Sequence, residues 1–187
     1  MRLPTVRILA APALLAVLLL SGCGGSDKAA TPGDSSSSSS DSSKPANGKV
    51  MKACDAITAE EVGAILGATV TSSVGPSGQC EYEQDDPRAM SAAVDAAVDV
   101  EGAGGIEGAK SGTTGALSGD AEDVSGVGDA AFVVVGKFAG GSNDQAQGVV
   151  AIKGQLVTVN ITQASGLPAA QVHDAAVALL KLAASKA

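Results

Sequence analysis

The sequence contains few of the side chains that binding and catalytic sites usually need. Its 187 residues include two Phe, one Tyr, no Trp and a single His. Surfaces that stack sugars or single-stranded nucleic acids are built from exposed aromatic rings, so this scarcity argues against both classes of ligand. The formal net charge of −8 also disfavours a basic surface for phosphate backbones. We therefore expect no nucleic-acid partner.

A long apolar run occurs at the start of the chain. Arg2 and Arg7 precede Ile8–Leu20, an uncharged run of 13 residues. This length fits the apolar core of a signal peptide and is shorter than the ~20 residues of a helix that crosses a bilayer. The run ends in Leu20-Ser21-Gly22-Cys23, which resembles the lipobox of bacterial lipoproteins. The resemblance implies cleavage before Cys23, a diacylglyceryl thioether on its sulfur, and acylation of the new amino group.

Cleavage at this position divides the chain into a signal peptide, residues 1–22, and a mature protein that begins at Cys23. Two acyl chains give stable attachment to a bilayer, whereas one chain gives only marginal attachment. We expect a palmitate-bearing lipoprotein on the extracytoplasmic face of the cell membrane, with the lipid bilayer as its partner through acylated Cys23. The alternative is an ordinary secreted protein in which Cys23 happens to lie near the cleavage site.

The segment after Cys23 is polar and of low complexity. Residues 23–52 include the unbroken serine run Ser35–Ser40 and very few apolar side chains. Such a segment cannot bury enough apolar surface to offset the entropy of ordering, so we expect a disordered tether. A flexible coil of this length spans roughly 30 Å on average. The tether would carry the following domain away from the membrane surface.

The remaining cysteines, Cys54 and Cys80, form an even pair. In an oxidising compartment such a pair has one intramolecular connectivity, so we expect a structural disulfide. Neither cysteine belongs to a Cys-x-x-Cys motif or has a His at metal-ligand spacing, which argues against zinc. We expect no metal ion and no cofactor.

Residues 53–187 have the length of one domain and contain alternating and helical patterns. Thr58 and Glu61 form a capping box that predicts a helix ending at Gly67. Leu167–Ala184 predicts an amphipathic C-terminal helix with Val172, Ala176, Leu179 and Ala183 on its apolar face.

Period-two alternation predicts the strands between these two helices. Ser91–Glu101 is also compatible with a helix, but the alternation fits it better. The segment 102–129 is rich in glycine and predicts a long loop with one helical turn near Ile106–Lys110. The predicted strands are Thr69–Val74, Gln79–Gln84, Ser91–Glu101, Ala130–Phe138, Gln147–Lys153 and Gln155–Thr162.

Together these patterns predict a single α+β domain at residues 53–187. We expect a curved antiparallel sheet of about five to six strands, with the N-terminal and C-terminal helices packed on one face and the disordered tether before it.

Three short motifs resemble a family of small actinobacterial envelope lipoproteins that carry a domain of unknown function. They are Cys54-Asp-Ala-Ile-Thr-Ala-Glu-Glu-Val-Gly-Ala-Ile-Leu-Gly67, Cys80-Glu-Tyr82 and Val127-Gly-Asp-Ala-Ala-Phe132. The resemblance implies a Cys54–Cys80 disulfide and an extracytoplasmic role. Some mycobacterial lipoproteins of similar outline have a PsbP-like α+β sandwich, which agrees with the predicted order of elements. The family implies no activity.

His173 is the one candidate for acid–base catalysis. A serine hydrolase would need a nucleophile and a carboxylate beside it, and residues 53–187 contain no Gly-x-Ser-x-Gly motif. At the edge of the apolar helix face, His173 fits a solvated or half-buried structural residue much better.

Two further motifs have structural explanations. Gly126-Val-Gly-Asp-Ala-Ala131 resembles a dinucleotide fingerprint but precedes a predicted strand, where that fingerprint follows one, so it predicts a tight turn. Asp120, Glu122, Asp123 and Asp129 could bind Ca²⁺, but Val124 occupies a position where an EF-hand needs a ligand. The second motif fits a solvated acidic loop better.

These observations predict a monomeric, non-enzymatic binding or interaction module with no catalytic residues, whose partner is an envelope protein or a small apolar ligand. The expected binding surface is apolar and lies between the Val172–Ala183 helix face and Val157, Val159 and Ile161. The alternative is an exported hydrolase that uses His173 with an unrecognised nucleophile.

Overall fold

The computed structural model describes residues 50–97, 100 and 104–187. The predicted signal peptide, Cys23 and the tether up to residue 49 lie outside these residues, as do positions 98–99 and 101–103. The described part of the chain is α+β, as predicted, and belongs to one compact unit. Its helices are α1 (Ala53–Ala56), α2 (Ala59–Leu66), α3 (Gly105–Leu117) and α4 (Ala169–Lys186).

Seven strands form one antiparallel sheet, so the prediction of five to six strands was too low. The additional strand, β4, has three residues, two of them acidic, and therefore shows no apolar alternation. The order across the sheet is β1-β2-β3-β7-β6-β5-β4. The strands are β1 (Thr71–Val74), β2 (Cys80–Glu83), β3 (Ser91–Ala97), β4 (Ala121–Asp123), β5 (Ala130–Gly136), β6 (Gln145–Ile152) and β7 (Gln155–Thr162).

Local sequence signals determine the ends of several elements. Thr58 accepts a hydrogen bond from the Glu61 amide and its own amide donates to the Glu61 carboxylate, which confirms the predicted capping box of α2. Gly67 ends α2 in the left-handed region at φ 70°, where glycine has no side-chain penalty. The predicted strand Ala130–Phe138 stops at Gly136, and Phe138 begins a short 3₁₀ turn.

One face of the sheet packs against α2 and α4. Its core includes Val94, Val150 and Val159 from the sheet with Leu179 and Leu180 from α4. This arrangement confirms that the N-terminal and C-terminal helices share one face. The burial of alternate strand residues follows from the period-two pattern.

The opposite face of the sheet packs against α3, which corrects the predicted loop at 102–129. Phe132, Val134 and Val149 from the sheet form a second buried cluster with Leu117 of α3. Because neighbouring strand residues point to opposite faces, these side chains cannot belong to the α4 side. The helices therefore cover both faces, where we expected only one to be covered.

The two ends of the sheet differ in what they carry. We call one the entry end, because the described chain enters there at Val50 and the Met51 amide donates to Gln155 at the start of β7 (2.9 Å). The β1–β2 and β6–β7 turns lie at this end, since Val74 pairs with Cys80 and Ile152 with Gln155. The 3₁₀ turn at Phe138 lies at the other, far end.

Candidate functional site

The predicted apolar groove between α4 and the sheet is absent. Helix and sheet contact each other directly, and no side chain from either predicted surface is exposed. Gly148 of β6 allows this approach, because a Cβ there would lie 3.0 Å from Val159 and 3.4 Å from Leu180. The fully buried residues are Val157, Val159, Ile161, Val172, Ala176, Leu179 and Ala183.

A concavity lies at the entry end of the sheet, and we call it the entry pocket. It has a volume of about 660 Å³ and is open to solvent. Three separate parts of the chain line it, namely residues 50–55, the segment 74–78 that leaves β1, and the end of β3 at 95–96. The lining residues that are buried or half-buried are Cys54 and four apolar residues, Val50, Met51, Ala53 and Ala96.

The exposed lining of the entry pocket combines Val74 and Gly78 with polar residues of both charges. It contains Asp55, Asp95, Ser77 and Lys52. Among the described residues, neither Asp55 nor Asp95 forms an ion pair. One Asp95 oxygen accepts the Ala96 amide at 2.8 Å. An apolar interior with a few polar groups is typical of a ligand site.

The predicted Cys54–Cys80 disulfide is confirmed, and it supports this pocket. Cys54 belongs to α1 and lines the pocket, whereas Cys80 begins β2 and is fully buried. The bond joins positions 26 residues apart in sequence, with the two Cα atoms 5.1 Å from each other. The bond therefore fixes α1, one wall of the pocket, to the sheet.

Tyr82 provides a second attachment at the same place. Its ring is fully buried, and its hydroxyl donates a hydrogen bond to the Ile57 carbonyl between α1 and α2 (3.0 Å). Burial, with a smaller contribution from the negative charge of Glu61, raises the pKa of Tyr82 to about 12. The Glu61 carboxylate in turn forms an ion pair with the Lys186 ammonium group of α4 (2.6 Å). This contact holds the pKa of Glu61 below its usual value.

Strand β1 is an exposed edge of the sheet beside the entry pocket. All four of its residues are exposed, and Val74 is 69% exposed. The Gly75 amide donates to the Gln79 carbonyl (2.9 Å). Because bonded pairs alternate along an antiparallel ladder, the backbone groups of Ser72 and Val74 point away from β2. Among the described residues, β1 has no neighbour on that side.

His173 lies elsewhere, on α4 beside strand β4. Its Nδ1 contacts the Asp174 carboxylate at 3.2 Å. Its Nε2 is buried and has no hydrogen-bond partner among the described residues, and the Glu122 carboxylate lies 3.5 Å away. No hydroxyl or thiol of the described residues hydrogen-bonds to either ring nitrogen. The structure therefore does not bring His173 together with a nucleophile.

The acidic residues 120–129 are also dispersed. Asp123 pairs with Lys110 of α3 at 2.6 Å, which raises the pKa of that lysine, while Glu122 lies near His173. In the part of the chain that the structure describes, no group of three or more His, Cys, Asp or Glu side chains could hold a metal ion. The segment Gly126–Ala131 forms a turn that leads into β5, as predicted.

Comparisons with known proteins do not identify a relative. A scan of protein-family models, a search of curated proteins and a search of solved structures each gave no match. Within the described ranges 50–97 and 104–187, no helix is both long enough and apolar enough to cross a membrane.

Sequence reasoning missed the entry pocket because its walls come from three distant segments. The available signal was local: Val50 and Met51 are apolar residues directly before Cys54, in a stretch assigned to the polar tether. Both are half-buried and pack at the entry end. Val50 and Met51 therefore contribute to the packing at the entry end.

Proposed function

We propose that this protein is a lipid-anchored, non-enzymatic binding module of the cell envelope, and that the entry pocket is its binding site. One observation carries the proposal. A concavity of about 660 Å³ at the entry end combines the apolar side chains of Val50, Met51 and Ala96 with a few exposed polar residues. This lining fits a small apolar ligand.

The anchor is part of the same proposal. The Leu20–Cys23 lipobox supports attachment of the mature chain to the extracytoplasmic face of the membrane. A tether of roughly 30 Å would then give the domain lateral reach toward a partner. The resemblance to actinobacterial envelope lipoproteins supports this location, and the PsbP-like fold remains a proposal.

The surroundings of His173 favour binding over hydrolysis. A catalytic histidine needs a substrate-accessible nitrogen and a nucleophile within hydrogen-bonding reach. His173 has two carboxylates beside it, and its Nε2 is buried. It also lies on α4, outside the lining of the entry pocket.

The proposal can be tested with 1-N-phenylnaphthylamine, a neutral apolar dye that fluoresces in apolar surroundings. The protein is the chain without residues 1–22, with Cys23→Ser so that no lipid is attached. Val74→Asp adds a carboxylate to the exposed pocket lining, and we expect binding about tenfold weaker because desolvating that charge costs free energy.

Phe138→Asp is the matched control. Val74 and Phe138 are the two exposed large hydrophobic residues of the described chain, and they lie at opposite ends of the sheet. Phe138→Asp and His173→Ala should leave dye binding unchanged. Equal weakening by Val74→Asp and Phe138→Asp, or a hydrolytic activity that His173→Ala abolishes, would overturn the proposal.

A further inference from the structure

We infer that two copies of this protein pair through strand β1, so that their sheets join edge to edge across a twofold axis. The partner is a second copy of the same chain, anchored in the same membrane. The inference goes beyond the proposed function, because it concerns the sheet edge and not the entry pocket. It takes only the lipid anchor from that proposal.

The first argument is the accessibility of the edge. All four residues of β1 are exposed, although Ser73 and Val74 lie on opposite faces of the sheet. The described helices therefore leave the edge open on both faces. The amides and carbonyls of Ser72 and Val74 point away from β2 and have no neighbouring strand among the described residues. These groups can form main-chain hydrogen bonds with an added strand.

The second argument is that the edge is complementary to itself. Two antiparallel strands form hydrogen-bonded pairs where the outward groups of one strand meet the outward groups of the other. This condition is met when Ser72 of each copy faces Val74 of the other copy. The two pairs exchange about four main-chain hydrogen bonds, and the twofold axis passes between the two copies of Ser73.

The third argument is the absence of charge at this edge. The chain has a formal net charge of −8, so most contacts between identical copies would bring like charges together. Residues 62–80 contain no charged side chain, and they include all of β1 and the turn that follows it. Self-pairing at β1 therefore places no like charges of the strand or its turn opposite each other.

The fourth argument is the contrast with the other edge of the sheet. Strand β4 carries Glu122 and Asp123, whose charges discourage strand addition. Once two copies have paired through β1, the two β4 strands are the remaining edges of the joined sheet. The assembly therefore stops at two copies and does not grow into a fibre.

The anchor determines where this contact forms. A strand of four residues buries far less surface than the roughly 1,200–2,000 Å² of a stable interface. We therefore expect a monomer in dilute solution, as the sequence predicts. Attachment through Cys23 would confine the copies to one surface and raise their local concentration. A tether of roughly 30 Å would let two domains turn into the antiparallel arrangement.

The test is a cross-link in the full-length, anchored chain. The variant Ser73→Cys is oxidised with copper phenanthroline on intact cells and run on a non-reducing gel. In the inferred register the two Cα atoms at position 73 lie about 4.5 Å apart, which suits a disulfide. Thr71→Cys is the matched control, because Thr71 is exposed on the same strand and the same face.

The control cannot form the same bond. In the inferred register the two copies of position 71 are offset by four residues and lie about 13 Å apart. We expect at least about tenfold more covalent dimer from Ser73→Cys than from Thr71→Cys, because only the first pair is within disulfide range.

Two further measurements examine the pairing itself. Adding Ser72→Asp to the Ser73→Cys chain places like charges near the axis and should lower the dimer yield about fivefold, whereas Ser72→Ala should not. In the mature Cys23→Ser chain, the Ser72 and Val74 amides should shift in NMR spectra as the concentration is raised to about millimolar. The amide of Glu122 should not shift.

Three results would overturn the inference: equal dimer yield from Ser73→Cys and Thr71→Cys, equal yield with Ser72→Asp and Ser72→Ala, or a cross-link from position 73 to a different protein. Membrane fractionation of the same cells reports the anchor separately. If the chain is not anchored, the proposed location fails and the NMR titration decides the inference alone. Dye binding by Ser72→Asp should be unchanged, because Ser72 does not line the entry pocket.

Discussion

At the scale of single residues, Tyr82 shows how a chain with few aromatics uses one of them. The ring fills the core beneath α1 and α2, and the hydroxyl holds the Ile57 carbonyl. Deprotonation would place a negative charge in this buried position and near the negative charge of Glu61. These two costs explain the direction of the pKa shift.

The single tyrosine makes this shift directly measurable. Absorbance at 295 nm during an alkaline titration should show ionisation near pH 12 in the folded chain and near the ordinary value of about 10 in urea. The folded state favours the protonated form, so the contribution of Tyr82 to stability is complete below pH 10 and is lost as the pH rises to 12.

A Tyr82→Phe variant serves as the control for that titration. It should have no absorbance change at 295 nm, and its free energy of unfolding should depend less on pH between 10 and 12. It should also be less stable by about 1–2 kcal/mol at neutral pH, because the Ile57 carbonyl is left buried without its donor. Ionisation of the folded chain at pH 10 would contradict the account.

At the scale of elements, helix α3 is the main departure from the sequence prediction. Its interior contains Gly108, Gly112 and Gly115, and glycine is among the least favourable residues in a helix. Ile106, Thr113 and Leu117 nevertheless lie on one face and pack on the sheet. Tertiary packing therefore stabilises a helix whose local preferences indicate a loop.

This explanation predicts that replacing glycines on the exposed side of α3 stabilises the helix. A Cβ at Gly112 or Gly115 meets no other atom within 4 Å. The double variant Gly112→Ala/Gly115→Ala should raise the free energy of unfolding by about 1–2 kcal/mol, measured by urea denaturation. Destabilisation by this double variant would contradict this explanation, because it would show that close packing requires glycine at these two positions.

Gly148→Ala is the matched control, and it should change the free energy of unfolding in the opposite direction. Its Cβ would lie 3.0 Å from Val159 and 3.2 Å from Val133. We expect a loss of about 1 kcal/mol or more, because the contact between α4 and the sheet is already closed.

The disulfide also stabilises the structure at the scale of elements, because it joins α1 to β2. Cys54→Ala/Cys80→Ala should lower the free energy of unfolding by about 3.5 kcal/mol in the chain-entropy model. Labelling of the unmodified chain with a thiol reagent, without reductant, should find neither cysteine reactive. A reactive thiol at Cys54 would contradict the bond.

The sequence allowed the strands, the capping box and the disulfide to be predicted, because each depends on neighbouring residues or on a forced pairing. Strand β7 was predicted with its observed ends, Gln155 and Thr162. Strand β4, helix α3 and the entry pocket were missed. Each of them depends on contacts between distant parts of the chain, for which local patterns carry little information.

At the scale of the whole molecule, the account assigns location and binding to different parts of the chain. In the proposed function, location depends on Cys23, and binding depends on the entry end of the folded domain. The described chain enters the domain beside the proposed binding pocket, at Val50 and Met51. A partner that occupies the pocket would therefore lie close to the point where the predicted tether joins the domain.

The anchor gives a separate prediction. Cys23→Ala should either release the chain into the medium or leave it as an uncleaved precursor, because no thiol remains to carry the lipid. Membrane fractionation with immunoblotting distinguishes these outcomes. A Cys23→Ala chain that stays membrane-bound at its mature size would contradict the lipobox interpretation.

The central claim is that ligands bind at the entry pocket, and an amide map tests it most directly. NMR spectra of the mature Cys23→Ser chain are recorded as 1-N-phenylnaphthylamine is added. The account predicts that the largest shifts occur at Met51, Asp55, Val74 and Ala96, with His173 and Phe138 unchanged. Saturable shifts centred on Phe138 or His173 would contradict it.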